Sequence, residues 1–569
     1  MGNASFPNSA AAGAIPFRQL AMDTETTPSI FSDLIVRWCI RIGFLLKRVI
    51  GRHLGIISFL AIFLLIEFLY PRFVYTDDEV FFKSAGRNLS QQGTFAAPEF
   101  EGFLHLDPPI ERINLAYPPL YGWLFGQWTR LTGFGWAACV GYDAVVSALL
   151  AVTVYGLAHI MCMALLGPLS IRRRTTLALV TALLTLLFRH VARPDELAMA
   201  LAYANAWWLL MPRAFFLRWL GAAFISGVLA GLLVCTSLGA FLAFIPLLTA
   251  LWLLRVTDVR EVTAALAATI LGGAFAVVLC LTPLFVVDPH VYRQPLQHFD
   301  YLVLNESFRM QPLSVLSKLK NILIRYHTLI FATWQVSRQH VFILFATLPV
   351  LCLGIIRFWR GERIREMLSF FVAPLVGFSV VFFLHGWWAY WWFLQPWFVL
   401  IAIVVVADFW CSRRSRLLAT AVVAWLAMWL AIAGLWPAKN YLARIILAPE
   451  QRLSYNIKKL RELIPIGATV LTVNGWWALG NDRLVYDPGS DIEDLSRIQY
   501  FVTDGNGTGQ PGVWWPPHNP RYRAMVRENF EVISDTLPRT PLRIFGLRIT
   551  NSAYGFGTIV LRRVQEPSR

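Results

Sequence analysis

From residue 54 to residue 436 the chain alternates long apolar runs with short polar segments, a pattern that only a lipid environment accommodates. Runs at 54–70, 136–166, 176–188, 197–211, 219–235, 238–254, 262–287, 341–356, 367–384, 391–407 and 417–436 read as about eleven membrane-spanning helices. A water-soluble domain has no interior large enough for them: 57% of the 569 residues are hydrophobic and the mean hydropathy is +0.55. The formal net charge of +16 would suit nucleic acid if the basic residues shared one polar surface. They stand instead in short clusters between apolar runs, which marks membrane loops and removes the nucleic-acid reading.

Those clusters set the topology. Arg37, Arg41, Lys47, Arg48 and Arg52 precede the first run, so the N-terminus is expected in the cytoplasm. Arg172 to Arg174, Arg213 with Arg218, Arg255 with Arg260, Arg357 to Arg365, and Arg413, Arg414 and Arg416 then all fall on that same side. A miscounted run would flip every later cluster, so their agreement constrains the whole path. Three regions face outward: a first loop at 71–135, a loop at 288–340, and everything after 437. The first 29 residues are rich in Ala, Ser, Thr and Pro without an apolar core, and are expected to be disordered rather than a cleaved signal. Residues 30–50 form either a basic amphipathic helix on the inner leaflet or a cytoplasmic extension of the first span. The chain therefore divides into a cytoplasmic segment at 1–53, a transmembrane part at 54–436, and an extracytoplasmic tail at 437–569. All seven cysteines lie in or beside apolar runs, and the tail holds none, so no disulfide framework is expected. A helix at 449–463 followed by short β-rich runs at 469–473, 483–486, 499–502, 531–534 and 558–561 makes the tail a small α/β domain.

Chemistry concentrates in the outer loops. The first opens with Thr76-Asp77-Asp78-Glu79, a capping box in which Glu79 reaches back to the Thr76 N–H. Capping uses one or two of the carboxylates, and a helix N-terminus keeps the remaining Asp ionised, as a general base or cation ligand requires. The following helix, 80–90, carries Lys83 and Arg87 one turn apart, either a solvated basic face or a phosphate site at headgroup depth. Tyr117-Pro118-Pro119-Leu120 then leads into a second amphipathic stretch, 121–131. The short loop from Arg189 to Glu196 packs Arg193, Pro194, Asp195 and Glu196 between two spans, more charge than a turn needs. His385 stands at an outer boundary inside a tryptophan-rich belt. His290, Arg293, His298, Asn305 and Arg309 read as parts of a solvated loop.

In this order the three motifs, Asp77-Asp78-Glu79, Tyr117-Pro118-Pro119-Leu120 and Arg193-Pro194-Asp195-Glu196, resemble the GT-C glycosyltransferases. The branch most similar is that of the dolichyl-phosphate-mannose protein mannosyltransferases and the aminoarabinose transferases acting on lipid A. The resemblance covers residues 54–254 by motif and 262–436 by topology only. It implies a polytopic α-helical membrane enzyme, in a bacterial inner membrane, that moves a sugar from a polyprenyl-phosphate donor to an acceptor at the outer face. The acceptor is lipid A or lipopolysaccharide, another glycan, or a protein. It implies Asp78, with Asp77 the alternative, as the catalytic base, and Asp195 as the second acid. Glu79, Lys83, Arg87, Tyr117, Arg193 and His385 complete the expected substrate site. Relatives commonly carry a basic residue soon after the Asp-Glu pair and a Lys or other polar residue before the first proline; here Phe81, Phe82 and Tyr117 occupy those places. Lys83, Arg87, Arg193 or His385 must then supply the positive charge.

No His/Cys cluster suggests a tightly held metal, while three adjacent acids suit a loosely bound divalent cation. The rival reading is a transporter or flippase of a lipid-linked or anionic solute, with Arg193, Asp195 and His385 along its path. It lacks the matched Gly/Pro-broken spans such proteins use.

Overall fold

The computed structural model describes residues 53–71, 77–166, 169–188, 194–211, 219–255, 259–304, 337–361, 363–385, 392–411, 416–472, 475–480, 482–487, 490–504, 520–537, 541–544, 547–553 and 557–564. Residues 58–569 form one compact unit; of the preceding unit, 1–57, only 53–57 are described.

Each of the eleven apolar runs contains a helix, because in lipid the backbone must satisfy its hydrogen bonds within its own segment. In chain order they are α1 (His53–Leu69), then α2 (Asp77–Gln92) and α3 (Leu120–Thr132) in the first outer loop. Next come α4 (Trp136–Leu166), α5 (Ile171–Leu187), α6 (Pro194–Leu210), α7 (Trp219–Val234), α8 (Leu238–Arg255) and α9 (Val259–Val287). The second outer loop holds α10 (Arg293–Leu304), followed by α11 (Ser337–Arg360). The run at 367–384 is not one regular helix: α12 (Ile364–Met367) passes through a π-turn, Leu368–Val372, into α13 (Ala373–His385). The membrane part closes with α14 (Gln395–Cys411) and α15 (Arg416–Ile445). Among the described residues, five stretches, in α4, α9, α11, α14 and α15, are long and apolar enough to cross a bilayer.

Several boundaries differ from the sequence reading, the largest at the end of α15, which runs to Ile445, nine residues past the expected 436 and so beyond the expected start of the tail at 437. The fifth helix starts five residues before 176, because Ser170 accepts a hydrogen bond from the Arg173 N–H at 3.5 Å and caps it. Arg172 to Arg174 thus occupy the first helical turn rather than a loop. The first-loop helix runs from Asp77 to Gln92, longer at both ends than 80–90.

Small residues set the closest crossings. A methyl group added to Gly227 or Gly272 would overlap the Thr269 or Phe224 carbonyl, so α7 and α9 meet backbone to backbone. The C-terminal ends of α1 and α15 are tied by Glu67 and Arg444, 3.3 Å apart and both buried, with Arg444 also donating to the Tyr70 carbonyl at 3.0 Å.

In the tail, α16 (Leu453–Leu463) precedes a five-stranded sheet built from β1 (Thr469–Thr472), β2 (Leu484–Tyr486), β3 (Tyr500–Asp504), β4 (Phe530–Asp535) and, last in the chain, Thr558–Arg563. A separate hairpin pairs β5 (Pro541–Ile544) with β6 (Leu547–Ala553), making the last strand β7. The sheet order is β2-β1-β3-β7-β4, with β1 parallel to β2 and β3, and β7 antiparallel to β3 and β4. All five expected strands are present. The β5–β6 hairpin and the helix Pro520–Asn529 were not anticipated. The apolar core of this sheet does not end at the tail: Leu453, Val470 and Trp476 belong to one buried cluster with Val80 and Phe81 of α2, Phe125 of α3 and Tyr142 of α4.

Candidate functional site

The site is built on α2, whose first turn carries Asp77, Asp78 and Glu79. The side chains of these three acids, and that of His385 at the end of α13, lie outside the described set, as does Arg193 entirely. What is described is the frame that holds this turn in place.

One turn after Asp78, Phe82 packs edge-on against Tyr117 with ring centroids 4.8 Å apart, and Phe81 does the same at 5.1 Å. Tyr117 is thus an aromatic prop for α2, with Pro118 and Pro119 immediately behind it starting α3. Leu120 donates its N–H to the Cys235 carbonyl at 2.9 Å, which anchors this start to the turn between α7 and α8. In that turn Ser237 lies 3.5 Å from the carboxylate of Asp195, at the N-terminal end of α6. Asp195 is only 5% exposed. Asp78, Tyr117 and Asp195, 39 to 117 positions apart in sequence, therefore belong to one continuous patch of structure.

A second set of contacts fixes α2 laterally. Lys83 is fully buried and pairs with Asp143 of α4 at 2.7 Å, and the Tyr121 hydroxyl donates to the other Asp143 oxygen at 3.0 Å. One turn along α4, Ser147 donates to Glu196 at 2.5 Å. Arg87 forms an ion pair with Glu99 and donates to the Gly480 carbonyl in the tail. Glu99, 2% exposed, also accepts from Ser84, from Asn88 at 3.3 Å and from the indole N–H of Trp476 at 3.0 Å. The solvated basic face read from the sequence is therefore not what forms: Lys83 and Arg87 both turn inward to carboxylates. The physical reason is that α2 is covered by α3 and α4 on one side and by the tail on another, which removes Lys83 from water and leaves Arg87 only partly exposed.

The second outer loop closes the patch. Gln294 of α10 donates to the carbonyls of Pro108 at 2.5 Å and Ile113 at 2.7 Å, and accepts from the Leu115 N–H at 2.6 Å. Arg293 pairs with Asp107 at 2.8 Å. This latch carries His298, one turn further on, against Tyr117 with ring centroids 4.8 Å apart. His298 is 6% exposed, and among the described residues neither ring nitrogen has a hydrogen-bond partner. Burial pushes its imidazole down to about 4, so at neutral pH it is uncharged. This corrects the solvated-loop reading of His298. A buried imidazole without partners beside Tyr117 is a group that an incoming polar ligand would satisfy.

The sequence reading passed over Glu99, Tyr121, Asp143 and Gln294, and named His298 only as part of a solvated loop. Asp143 alone carried a signal, as the one acid inside the apolar run 136–166. The others acquire meaning from distant partners. Among the described residues no three His, Cys, Asp or Glu side chains gather as a metal-ligating group.

No family model and no curated protein matches this sequence. Among solved structures, the chain is similar to ArnT from Cupriavidus metallidurans bound to undecaprenyl phosphate, with a TM-score of 0.50 and 13% identity over 90% of this chain and 98% of that one. The apo state of the same ArnT aligns with a TM-score of 0.49 at 13% identity, over 89% and 97% of the two chains. The oligosaccharyltransferase of Archaeoglobus fulgidus, in complex with Zn and sulfate, aligns with a TM-score of 0.39 at 12% identity, over 78% and 67%. The chain shares the overall fold of that undecaprenyl-phosphate-bound ArnT structure, and its described apolar helices are those of an integral multi-pass membrane protein.

Proposed function

We propose that this chain is a membrane glycosyltransferase that moves a sugar from a polyprenyl-phosphate donor to an acceptor hydroxyl at the outer face of the membrane. The observation that carries the reading is the joining of three separate motifs: Phe82, one turn from Asp78, rests on Tyr117, and the segment after Tyr117 leads through Leu120 and the Ser237 turn to Asp195. The near end-to-end likeness to ArnT supports the same fold-level reading.

In this mechanism Asp78, or Asp77 beside it, takes the proton from the acceptor hydroxyl as that oxygen attacks the anomeric carbon. The bond from that carbon to the phosphate oxygen breaks on the opposite face, and the polyprenyl phosphate keeps the electron pair. General-base assistance of this kind contributes about 10²- to 10⁴-fold. The developing negative charge needs cationic or dipolar partners. Lys83 and Arg87 are already held by Asp143 and Glu99, so we assign that task to Arg193 and His385. Lys83 then acts through Asp143 to hold α2, and Tyr117 and Glu79 shape the entrance. A lipid donor suits the place, since its chain stays in the bilayer while α2 and α3 cover the headgroup. The reading carries with it the eleven-span path with a cytoplasmic N-terminus and an extracytoplasmic tail at 437–569.

The test is transfer in membranes supplied with a polyprenyl-phosphate-linked sugar. Asp78→Asn is expected to abolish transfer with expression unchanged. Full activity of both Asp78→Asn and Asp77→Asn would overturn the proposed base. Mass spectrometry of envelope glycolipids with and without the protein is expected to show a difference of one sugar, which names donor and acceptor class.

A further inference from the structure

Away from α2, a cavity of about 970 Å³ lies between α5, α14 and α15. Its walls are apolar along nearly their whole length, with Leu184, Trp410, Leu430 and Gly434 among them. The cavity is open toward the lipid, since Trp410 and Leu435 in its lining are 55% and 67% exposed. Along α5 it extends from Arg172 to Leu187, about 22 Å at 1.5 Å per residue, most of a hydrocarbon core of about 30 Å.

One end differs from the rest. Arg172 and Arg173, both exposed in the first turn of α5, border the cavity there. Neither side chain has an ion-pair or hydrogen-bond partner among the described residues. Asp408 on α14 does not neutralise them, because it pairs with Arg357 at 3.0 Å. The N-terminus of α5 adds the positive end of its dipole to the same place. Unpaired guanidinium groups at the mouth of an apolar slot match a molecule with an anionic phosphate head and a long hydrocarbon tail.

We infer that this cavity is a binding site for an anionic phospholipid, its phosphate on Arg172 and Arg173 and one acyl chain lying along α5 between α14 and α15. The absence of a described carboxylate at the mouth favours a net-negative headgroup over a zwitterionic one, whose amine would find no counter-charge. The site is distinct from the α2 patch and does not depend on the transfer reaction proposed for that patch.

The test uses the full-length protein, purified in detergent and stripped of lipid, then titrated by native mass spectrometry with phosphatidylglycerol and phosphatidylcholine of identical acyl chains. Phosphatidylglycerol is expected to bind about tenfold more tightly. Replacing both Arg172→Gln and Arg173→Gln, exposed changes that leave the packing intact, removes the preference while phosphatidylcholine binding is unchanged. Ala427→Trp, which fills the slot from an exposed position on α15, weakens both lipids. Equal binding of the two lipids by the unmodified protein, or a preference that survives both Arg substitutions, would overturn the assignment. So would displacement of phosphatidylglycerol by equimolar undecaprenyl phosphate, which would make a polyprenyl lipid the occupant.

Discussion

The side chains that define the α2 patch owe their properties to burial. Lys83 has no water around it and pairs with Asp143 at 2.7 Å. Such a pair is a poor source of net stability but a strong constraint, since removing one member strands the other at a cost of about 3–5 kcal/mol. His298 takes the opposite course and remains neutral. Its pKa is lowered from the ordinary 6.5 to about 4, so between those values the unfolded chain binds a proton that the folded chain refuses. Stability from this group is therefore complete above about pH 6.5 and is lost as the pH falls toward 4. We expect the melting temperature of the detergent-purified protein to fall across that window. His298→Phe, which keeps the contact with Tyr117 and cannot titrate, should remove roughly 2–3 kcal/mol of the acid-side loss. The wild-type minus variant difference in unfolding free energy at pH 7 and pH 4.5 measures this directly.

At the scale of elements, α2 is placed by a close crossing with α3. A methyl group on Gly86 would overlap the Gly122 carbonyl, and one on Gly126 would meet the Gly86 carbonyl at 2.6 Å. The two helices therefore touch along their backbones, which brings Phe82 onto Tyr117. Gly86→Val must push α2 off α3, and overpacking of this kind costs about 1–3 kcal/mol. We expect reduced thermal stability together with loss of transfer, because the Asp77 and Asp78 turn moves with the helix. Gly135→Ala, with open space around the new methyl group, is the matched control and should change neither measurement. The helices themselves were legible as apolar runs, down to the short pair α5 and α6. Crossing points were not, because a glycine in sequence looks the same whether it faces lipid or another backbone.

At the scale of the molecule, the tail and the first outer loop share one core. Trp476 is fully buried, its ring 4.8 Å from Phe134 and its N–H on Glu99, the carboxylate that also holds Ser84, Arg87 and Asn88 of α2. The backbone continues the junction, with the Asp487 N–H on the Glu99 carbonyl and the Asp491 N–H on that of Glu101, each at 2.8 Å. Trp476→Ala leaves a large void and one donor fewer for Glu99, a loss of about 3–5 kcal/mol. It should make the tail sensitive to limited proteolysis and lower transfer, whereas Val532→Ala, on the exposed face of β4, should do neither.

The sequence by itself determined that the chain lives in a bilayer, that each apolar run holds a helix, and that acidic and aromatic motifs cluster in the loops between them. These follow from local properties: hydropathy, charge and the chemistry of helix starts, each contained within a short stretch. Only the tertiary structure decided what the charged side chains do. Lys83 and Asp143 are 60 positions apart, and Trp476 and Glu99 are 377 apart, so no spacing rule joins them. Whether Lys83, Arg87 or His298 meets water, a carboxylate or an aromatic ring depends on which elements cover it. That covering is a product of helix crossings and loop latches, and it is where a basic face in the sequence became a set of buried ties that hold α2.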